Sequence, residues 1–436
     1  MTIHVVQPGE TIYTIADYYN VSVTRLIEDN GITCPDELVT GQTIVIANPE
    51  QTYTVQEGDT LKSIADAYDV TLIQLIRNNP FLLDRKFIYP GETLVIRYKK
   101  GNGRISTNGY ANPYIDRAVL KKTLPFLTYL SIFGYRSTAE ADIIGIDDTE
   151  IIQIAKDYGV APIMLLSTLT GEGTGSIEID YGILYNQTLV DRHIDKILYI
   201  LAAKGYYGLN MTFQYINAEN RHIYEIYITK LASRLNKEGY KVFVTITPST
   251  VYNVNQITFE RIHYSEIAQR ANGMTIMTYN WGYSYGPPAP VSSNFMLREF
   301  LNYAVTLIPP GKIDIGLPII GYDWELPYVV GFTKANSLTL ESCINLARDV
   351  GAVILFDEIS QSPYFQYTIN KSGILIRHIV WFIDARSINA LVQLVPEYGF
   401  NGTGIWNIMN YYPQMWPIIN SQFEIETVNI TPPMPI

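Results

Sequence analysis

Three β-prone runs of this chain end in polar and aromatic side chains that could hold a ligand. In the first run, Asn210, Thr212 and Gln214 alternate along the chain, so a strand would place them on one face. Two later runs end in Tyr279 with Asn280 and in Trp406. An amide forms hydrogen bonds but does not titrate at any accessible pH, so it cannot serve as a general acid. The chemistry predicted here is holding a ligand rather than transferring a proton to it.

Eight β-prone runs, separated by helical stretches, would position these side chains. This pattern is typical of a (β/α)₈ barrel, in which the functional groups lie at the carboxyl ends of the strands. We therefore predict an α/β protein with such a barrel over residues 105–425 and a small α+β insertion at 331–379. The helical stretches include Val190–Ala203 and Glu225–Glu238. The predicted strands are Arg104–Tyr110, Leu127–Tyr135, Ala161–Ser167, Gly208–Phe213, Lys241–Thr247, Gly273–Tyr279, Lys312–Tyr322 and Gly402–Ile408.

An internal repeat precedes the barrel. Each copy reads strand, helix, helix, strand, and Thr11 and Thr60 are the expected N-caps of the first helices. The second helices should begin near Ser22 and Thr71. The matching segments are Val6–Ile12 with Val55–Leu61, Ile15–Asp17 with Ile64–Asp66, and Gly41–Ile46 with Gly91–Ile96. We expect one module at 1–49, another at 50–98, a linker at 99–104 and a tail at 426–436.

This repeat resembles the LysM family, whose modules have the order βααβ and bind N-acetylglucosamine polymers, namely peptidoglycan and chitin. The resemblance implies a glycan groove between the first turn and the second helix of each module. The implied groove residues are Gly9, Glu10, Thr11, Ile12, Asn30 and Gly31 in the first module, and Gly58, Asp59, Thr60, Leu61, Asn79 and Pro80 in the second.

The second part of the chain resembles the family 18 glycoside hydrolases, in particular the LysM-bearing branch that degrades spore-cortex peptidoglycan. Besides the strand ends above, the matching stretches are 108–111, 127–131, 321–324, 361–365 and 384–387. In that family the fourth strand carries the pattern D-G-x-[DN]-x-D-x-E. Its glutamate protonates the glycosidic oxygen, and its last aspartate orients the acetamido group of the substrate, which acts as the nucleophile.

The chain departs from the family at the catalytic positions. Thr212 stands at the aspartate position and Gln214 at the glutamate position, so no catalytic residue is intact. Losing general acid catalysis alone costs roughly 10²–10⁴ in rate. The resemblance still implies a sugar-binding mouth made of Gln214, Tyr279, Asn280 and Trp406. Substitutions also occur at three accompanying positions, which hold Tyr207, Asn280 and Ile383.

Composition narrows the possible partners. The net charge of −11 argues against a nucleic-acid partner, because phosphate binding needs a basic surface. The five histidines and two cysteines show no metal-ligand spacing, so we expect neither a metal nor a cofactor. The sequence has no stretch that predicts a membrane span, and its start does not resemble a signal peptide.

The leading hypothesis is a glycan-binding protein of the bacterial spore envelope, made in the mother cell, with a catalytically degenerate barrel. Its expected partners are peptidoglycan or chitin-like polymers. One alternative is an active N-acetylglucosaminidase that uses another acid, for which Glu219 is the candidate. A second alternative is a spore-coat assembly protein whose 34 tyrosines include contacts to protein partners.

Overall fold

The computed structural model describes residues 1–83, 85, 87–167, 177–213, 216–248, 250–253, 256–277 and 284–430. The two copies of the repeat fold as separate modules, each with an antiparallel strand pair and its own apolar core. The first contains β1 (Thr2–Val5), α1 (Ile12–Tyr19), α2 (Val23–Asn30) and β2 (Thr43–Ile46). The second contains β3 (Pro49–Thr54), α3 (Leu61–Ala67), α4 (Leu72–Asn78) and β4 (Thr93–Tyr98). The predicted βααβ order is confirmed.

Polar caps set where the module helices begin. The Thr11 side chain accepts a hydrogen bond from the Thr14 backbone N–H, and the Thr14 hydroxyl accepts one from the Thr11 N–H in return. The Thr60 pair repeats this arrangement, and Ser22 and Thr71 cap the second helices. Such a cap is worth about 1 kcal/mol, since it satisfies N–H groups that have no partner in the helix. All four predicted helix starts are confirmed.

The rest of the chain alternates strands and helices. Its first part contains β5 (Arg104–Ala111), α5 (Arg117–Thr123), β6 (Tyr129–Ser137), β7 (Ile143–Ile144), α6 (Thr149–Asp157), β8 (Ala161–Ser167), α7 (Ile177–Leu184), α8 (Gln187–Lys204), β9 (Gly208–Phe213), α9 (Arg221–Lys237), β10 (Lys241–Ile246), β11 (Thr250–Asn253), β12 (Gln256–Phe259), α10 (Ser265–Arg270), β13 (Gly273–Ile276), α11 (Asn294–Ala304) and β14 (Ile313–Pro318). Its second part contains β15 (Gly321–Leu326), β16 (Asn336–Leu338), α12 (Leu340–Asp349), β17 (Leu355–Asp357), β18 (Ser362–Lys371), β19 (Ile374–Trp381), α13 (Ala385–Val392), α14 (Leu394–Tyr398), β20 (Gly402–Trp406), α15 (Met415–Asn420) and β21 (Glu424–Ile425).

Within the described ranges, eight parallel strands close into a barrel in the order β5-β6-β8-β9-β10-β13-β14-β20, because β20 pairs back to β5. Side chains alternate between the two faces of each strand. On β14, for example, Ile313, Ile315 and Leu317 belong to the large apolar core outside the barrel. The intervening Asp314 therefore points inward. The predicted (β/α)₈ fold is confirmed.

The structure divides one predicted strand. The run Lys312–Tyr322 consists of β14 in the barrel and β15 in a separate five-stranded antiparallel sheet of order β16-β15-β19-β18-β17. The prediction of a single strand here was wrong. Both segments are apolar, and composition does not show to which sheet each segment hydrogen-bonds. The sheet begins at Gly321 and ends at Trp381, so it extends beyond the predicted insertion at both ends.

Asp314 lies inside the barrel, almost completely buried. The Asn401 side-chain amide donates to its carboxylate at 2.8 Å. Burial raises the pKa of Asp314 from 3.8 to about 7, and the Asn401 hydrogen bond only partly offsets this increase. Because the folded-state pKa is the higher one, the folded protein binds the extra proton between these values. Asp314 therefore favours the folded state below pH 3.8 and loses that contribution as pH rises through 7.

We expect Asp314→Asn to be more stable than the wild type at pH 8, by up to about 4 kcal/mol from about three pKa units at about 1.4 kcal/mol each. The difference should shrink toward pH 5, because the wild-type carboxyl is then protonated. Urea unfolding at both pH values measures it, with the exposed Asp36→Asn as the control. A constant difference between the two pH values would contradict the prediction.

Candidate functional site

A hydrogen-bond network fills the upper interior of the barrel. The Asn210 amide donates to the Tyr110 hydroxyl at 3.0 Å and accepts from the Thr245 hydroxyl at 2.9 Å. Tyr110 in turn donates to Thr275 at 3.2 Å. Asn210 points inward as predicted, but its side chain is fully buried and serves the barrel itself. This network fixes the strand ends that surround the mouth.

Thr212 lies two residues beyond Asn210 on β9 and therefore on the same face of the strand. It is in register with Thr245 of β10 and Ser167 of β8. Its hydroxyl oxygen is buried and has no hydrogen-bond partner among the described residues. A buried hydroxyl without a partner costs about 1–3 kcal/mol. A ligand group or a water molecule at this position would therefore gain a ready hydrogen bond.

Trp406 forms an aromatic floor at the end of β20. Its ring centroid lies 5.1 Å from that of Phe133 and 5.6 Å from that of Tyr110. Leu165 and Met277 complete this apolar cluster, and Trp406 remains half-buried rather than enclosed. A partly open indole on a rigid apolar base can stack on a ring of a ligand.

The other predicted mouth residues, Gln214, Tyr279 and Asn280, lie outside the described residues. Their roles stay predictions. Glu219, the alternative acid, lies in the turn before α9, and its side chain is exposed to solvent. Its backbone N–H donates to the Asn217 side chain at 2.9 Å, which fixes the turn.

In the modules, the two acidic residues predicted to line the groove organise the first turn. The Glu10 carboxylate accepts hydrogen bonds from the Gln7 N–H at 2.7 Å and from the His4 ring at 2.8 Å. The Gln7 N–H, together with His4, holds the pKa of Glu10 below its usual value. Asp59 repeats this geometry with the Gln56 N–H and the Tyr53 hydroxyl, both at 2.7 Å.

Asn30 and Asn79 hold their modules together. The Asn79 amide donates to the Leu75 and Val95 carbonyls, and its oxygen accepts from the Val95 N–H at 2.9 Å. Asn30 makes the same three bonds with Leu26 and Val45. Both side chains are buried, so they connect the second helix to the last strand and present no free amide to a glycan.

The remaining predicted groove positions have different surroundings. Gly9 and Gly58 are exposed at the first turns, Thr11 and Thr60 cap helices, and Ile12 and Leu61 pack into or against the module cores. Gly31 ends α2 with φ +62°, and a Cβ there would lie 2.5 Å from Pro413 of the barrel part. Pro80 is half-buried in a crevice beside Tyr411 and Pro417. Glycan contacts at the exposed positions stay predictions.

The modules pack against the barrel, which no sequence pattern predicted. Gln414 donates to the Asn30 side chain at 3.0 Å and to the Thr43 carbonyl at 2.6 Å. In the second module, Arg77 donates to the Pro125 carbonyl at 2.5 Å. No local pattern signals contacts between residues so far apart in the chain.

The described part of the chain holds no group of three or more His, Cys, Asp or Glu side chains arranged for a metal ion. None of its helices has both the length and the apolar character needed to cross a bilayer.

Two βααβ modules before a closed (β/α)₈ barrel with an aromatic floor and an antiparallel insertion define a LysM-bearing glycosidase fold. The model of the LysM domain matches residues 4–47 and 53–97, and that of glycosyl hydrolases family 18 matches residues 165–410. The chain belongs to glycosyl hydrolases family 18 and carries two LysM domains.

Relatives share this whole organisation. The chain is 32% identical to the cortical fragment-lytic enzyme of Bacillus subtilis, over 98% of this chain and 99% of that protein. It is 31% identical to the enzyme of the same name from Bacillus anthracis, over 96% and 98%. The crystal structure of the Bacillus cereus spore cortex-lytic enzyme SleL matches with a TM-score of 0.79 at 30% identity, covering 98% of this chain and 99% of that one.

Proposed function

We propose that this protein binds N-acetylglucosamine polymers of the spore envelope, peptidoglycan above all, and does not hydrolyse them. The observation that carries the proposal is Thr212, whose buried hydroxyl has no partner among the described residues and stands where the family places a catalytic aspartate. Gln214 replaces the proton donor two residues later. A threonine carries no charge to stabilise a developing oxazolinium cation, and a glutamine has no proton to give.

The features that hold a sugar need no carboxylate. Trp406 offers a half-buried stacking surface on an apolar base. Replacing a carboxylate by an amide also removes the cost of desolvating a charge, so ground-state binding need not suffer. A barrel that has lost its acids can therefore remain a lectin-like site.

An active glycosidase is the main alternative, and the names of the relatives, which are lytic enzymes, favour it. It would need another acid within about 3 Å of the glycosidic oxygen. Glu219 is the candidate, although its side chain is exposed to solvent. Release of reducing ends from peptidoglycan separates this alternative from the proposal. If neither binding nor hydrolysis is found, a coat-assembly role with protein partners becomes the better explanation.

We further propose that the protein resides in the spore cortex or coat. The support is the similarity over nearly the full chain to proteins named for spore-cortex lysis. Fractionation of spores with an antibody to the protein tests this location.

Residues 1–98 alone should bind insoluble peptidoglycan or chitin more strongly than residues 1–49 or 50–98 alone. Each module has its own core, and Arg25 of the first bonds to the Asn78 carbonyl and the Asn79 side chain of the second. Two linked weak sites gain from effective concentration. A pull-down assay measures the bound fraction. Equal retention of one module and of both would contradict the prediction.

A further inference from the structure

A cavity of about 410 Å³ lies where the first module, the barrel and the insertion meet. On the module side it is lined by residues 30–33, which lie at and just beyond the end of α2. On the other sides it is lined by α12, by residues 382–384 after β19 and by residues 410–414 after β20. Its volume falls within the range of small-molecule sites, about 300–1,000 Å³.

The walls of this cavity are held in place by contacts between the module and the insertion. The Ile354 N–H donates to the Thr40 carbonyl at 3.0 Å, and Arg348 donates to the Glu37 carbonyl at 3.0 Å. Gly41 has φ +87°, and a Cβ there would lie 2.0 Å from the Ile354 carbonyl oxygen. Only glycine allows this approach. Together with the Gln414 bonds, these contacts make the cavity preformed.

The cavity lies beside the two regions that the family associates with glycans. Its module wall is the loop after α2, which the LysM resemblance places at one side of the groove. Its barrel wall includes Ile319, whose N–H donates to the Trp406 carbonyl at 3.1 Å. A polymer that contacts both the first module and the barrel mouth would pass close to this space.

The lining suits a pyranose ring. Ile32, Ile344 and Tyr411 are half-buried and present apolar surface, whereas Thr33 and Asn345 offer hydrogen-bonding groups. A sugar ring has apolar faces and a polar edge, so it can use both kinds of surface at once. Small-molecule sites commonly combine an apolar lining with a few placed polar groups in this way.

We propose that this cavity is a subsite for one N-acetylated amino sugar within a glycan strand that runs from the first LysM module to the barrel mouth. The assignment of a glycan strand as the occupant rests on the proposed function. The subsite adjoins the LysM groove at residues 30–33 and adds walls from the barrel and the insertion, so it exists only because the module is docked on the barrel.

The test is calorimetry on the full-length protein with the N-acetylglucosamine disaccharide and hexasaccharide. The wild type should bind the hexasaccharide more tightly, because one strand then occupies connected sites. Thr33→Trp fills the cavity from the module side and should weaken hexasaccharide binding at least about tenfold, leaving the disaccharide within about twofold. Asp36→Trp, at an exposed neighbouring position outside the lining, is the control and should bind both sugars as the wild type does.

Asn345→Trp fills the cavity from α12 and should reproduce the result, so a folding defect in one variant does not decide the outcome. Wild-type hexasaccharide affinity in both variants would overturn the subsite and leave the proposed function intact. Equal weakening of the binding of both sugars would also overturn the subsite, because the effect would then belong to the groove of the module. Failure of the wild type to bind either sugar would overturn both proposals.

Discussion

The Thr212→Asp/Gln214→Glu double variant should release reducing ends from N-acetylglucosamine polymers at a rate at least about 10²-fold above the assay background, whereas the wild type should stay at background at every pH. General acid catalysis is typically worth about 10²–10⁴ in rate, and Gln214→Glu restores a group that can give a proton and take it back. Thr212→Asp restores the charge that steadies the acetamido nucleophile. Thr212 lies on the same face of β9 as the inward-pointing Asn210, so the new carboxylate would also point into the barrel.

Each single variant should remain near the wild-type rate, because the two groups act on one step. Melting temperatures of all variants exclude loss of fold as the cause of a low rate. A bell-shaped pH–rate profile in the wild type that Glu219→Gln abolishes would contradict the prediction and establish an active glycosidase with an acid in the loop after β9.

Trp406→Ala should weaken binding of an N-acetylglucosamine oligomer by the barrel by roughly 1–3 kcal/mol, the value expected for burial of a large aromatic surface. That corresponds to about 5–150-fold in Kd. The indole is half-buried on Phe133 and Tyr110, so it already has the orientation needed for stacking. Calorimetry on residues 103–436 isolates the barrel from the LysM modules, and the same comparison in the full chain checks that removing the modules does not cause the effect.

Trp406→Phe is the matched variant, since it keeps an aromatic face and should recover most of the affinity. A loss in Trp406→Ala that Trp406→Phe does not recover would indicate disturbed packing of the mouth instead of lost stacking. Absence of heat from the wild-type barrel up to millimolar sugar would leave the mouth without a sugar function and favour binding of a protein partner.

Much of this architecture could be predicted from the sequence, because its signals are local. The caps at Thr11, Ser22, Thr60 and Thr71 depend on hydrogen bonds within one turn of helix, so each can be identified from a few neighbouring residues. Repeated strand and helix patterns gave the two modules and the barrel for the same reason. The substitution at Gln214 is visible in the sequence alone.

Tertiary structure decided what these elements contact. Lys312–Tyr322 divides between two sheets because hydrogen bonding to distant strands, not local composition, assigns each half. Asn30 and Asn79 are buried within their modules, since the direction of a side chain after a helix depends on the strand that packs against it. Gly41 packs on Ile354, about 300 positions away in the chain, and this contact helps to form the cavity beside α12. The close fit depends on surfaces that form only when the chain has folded.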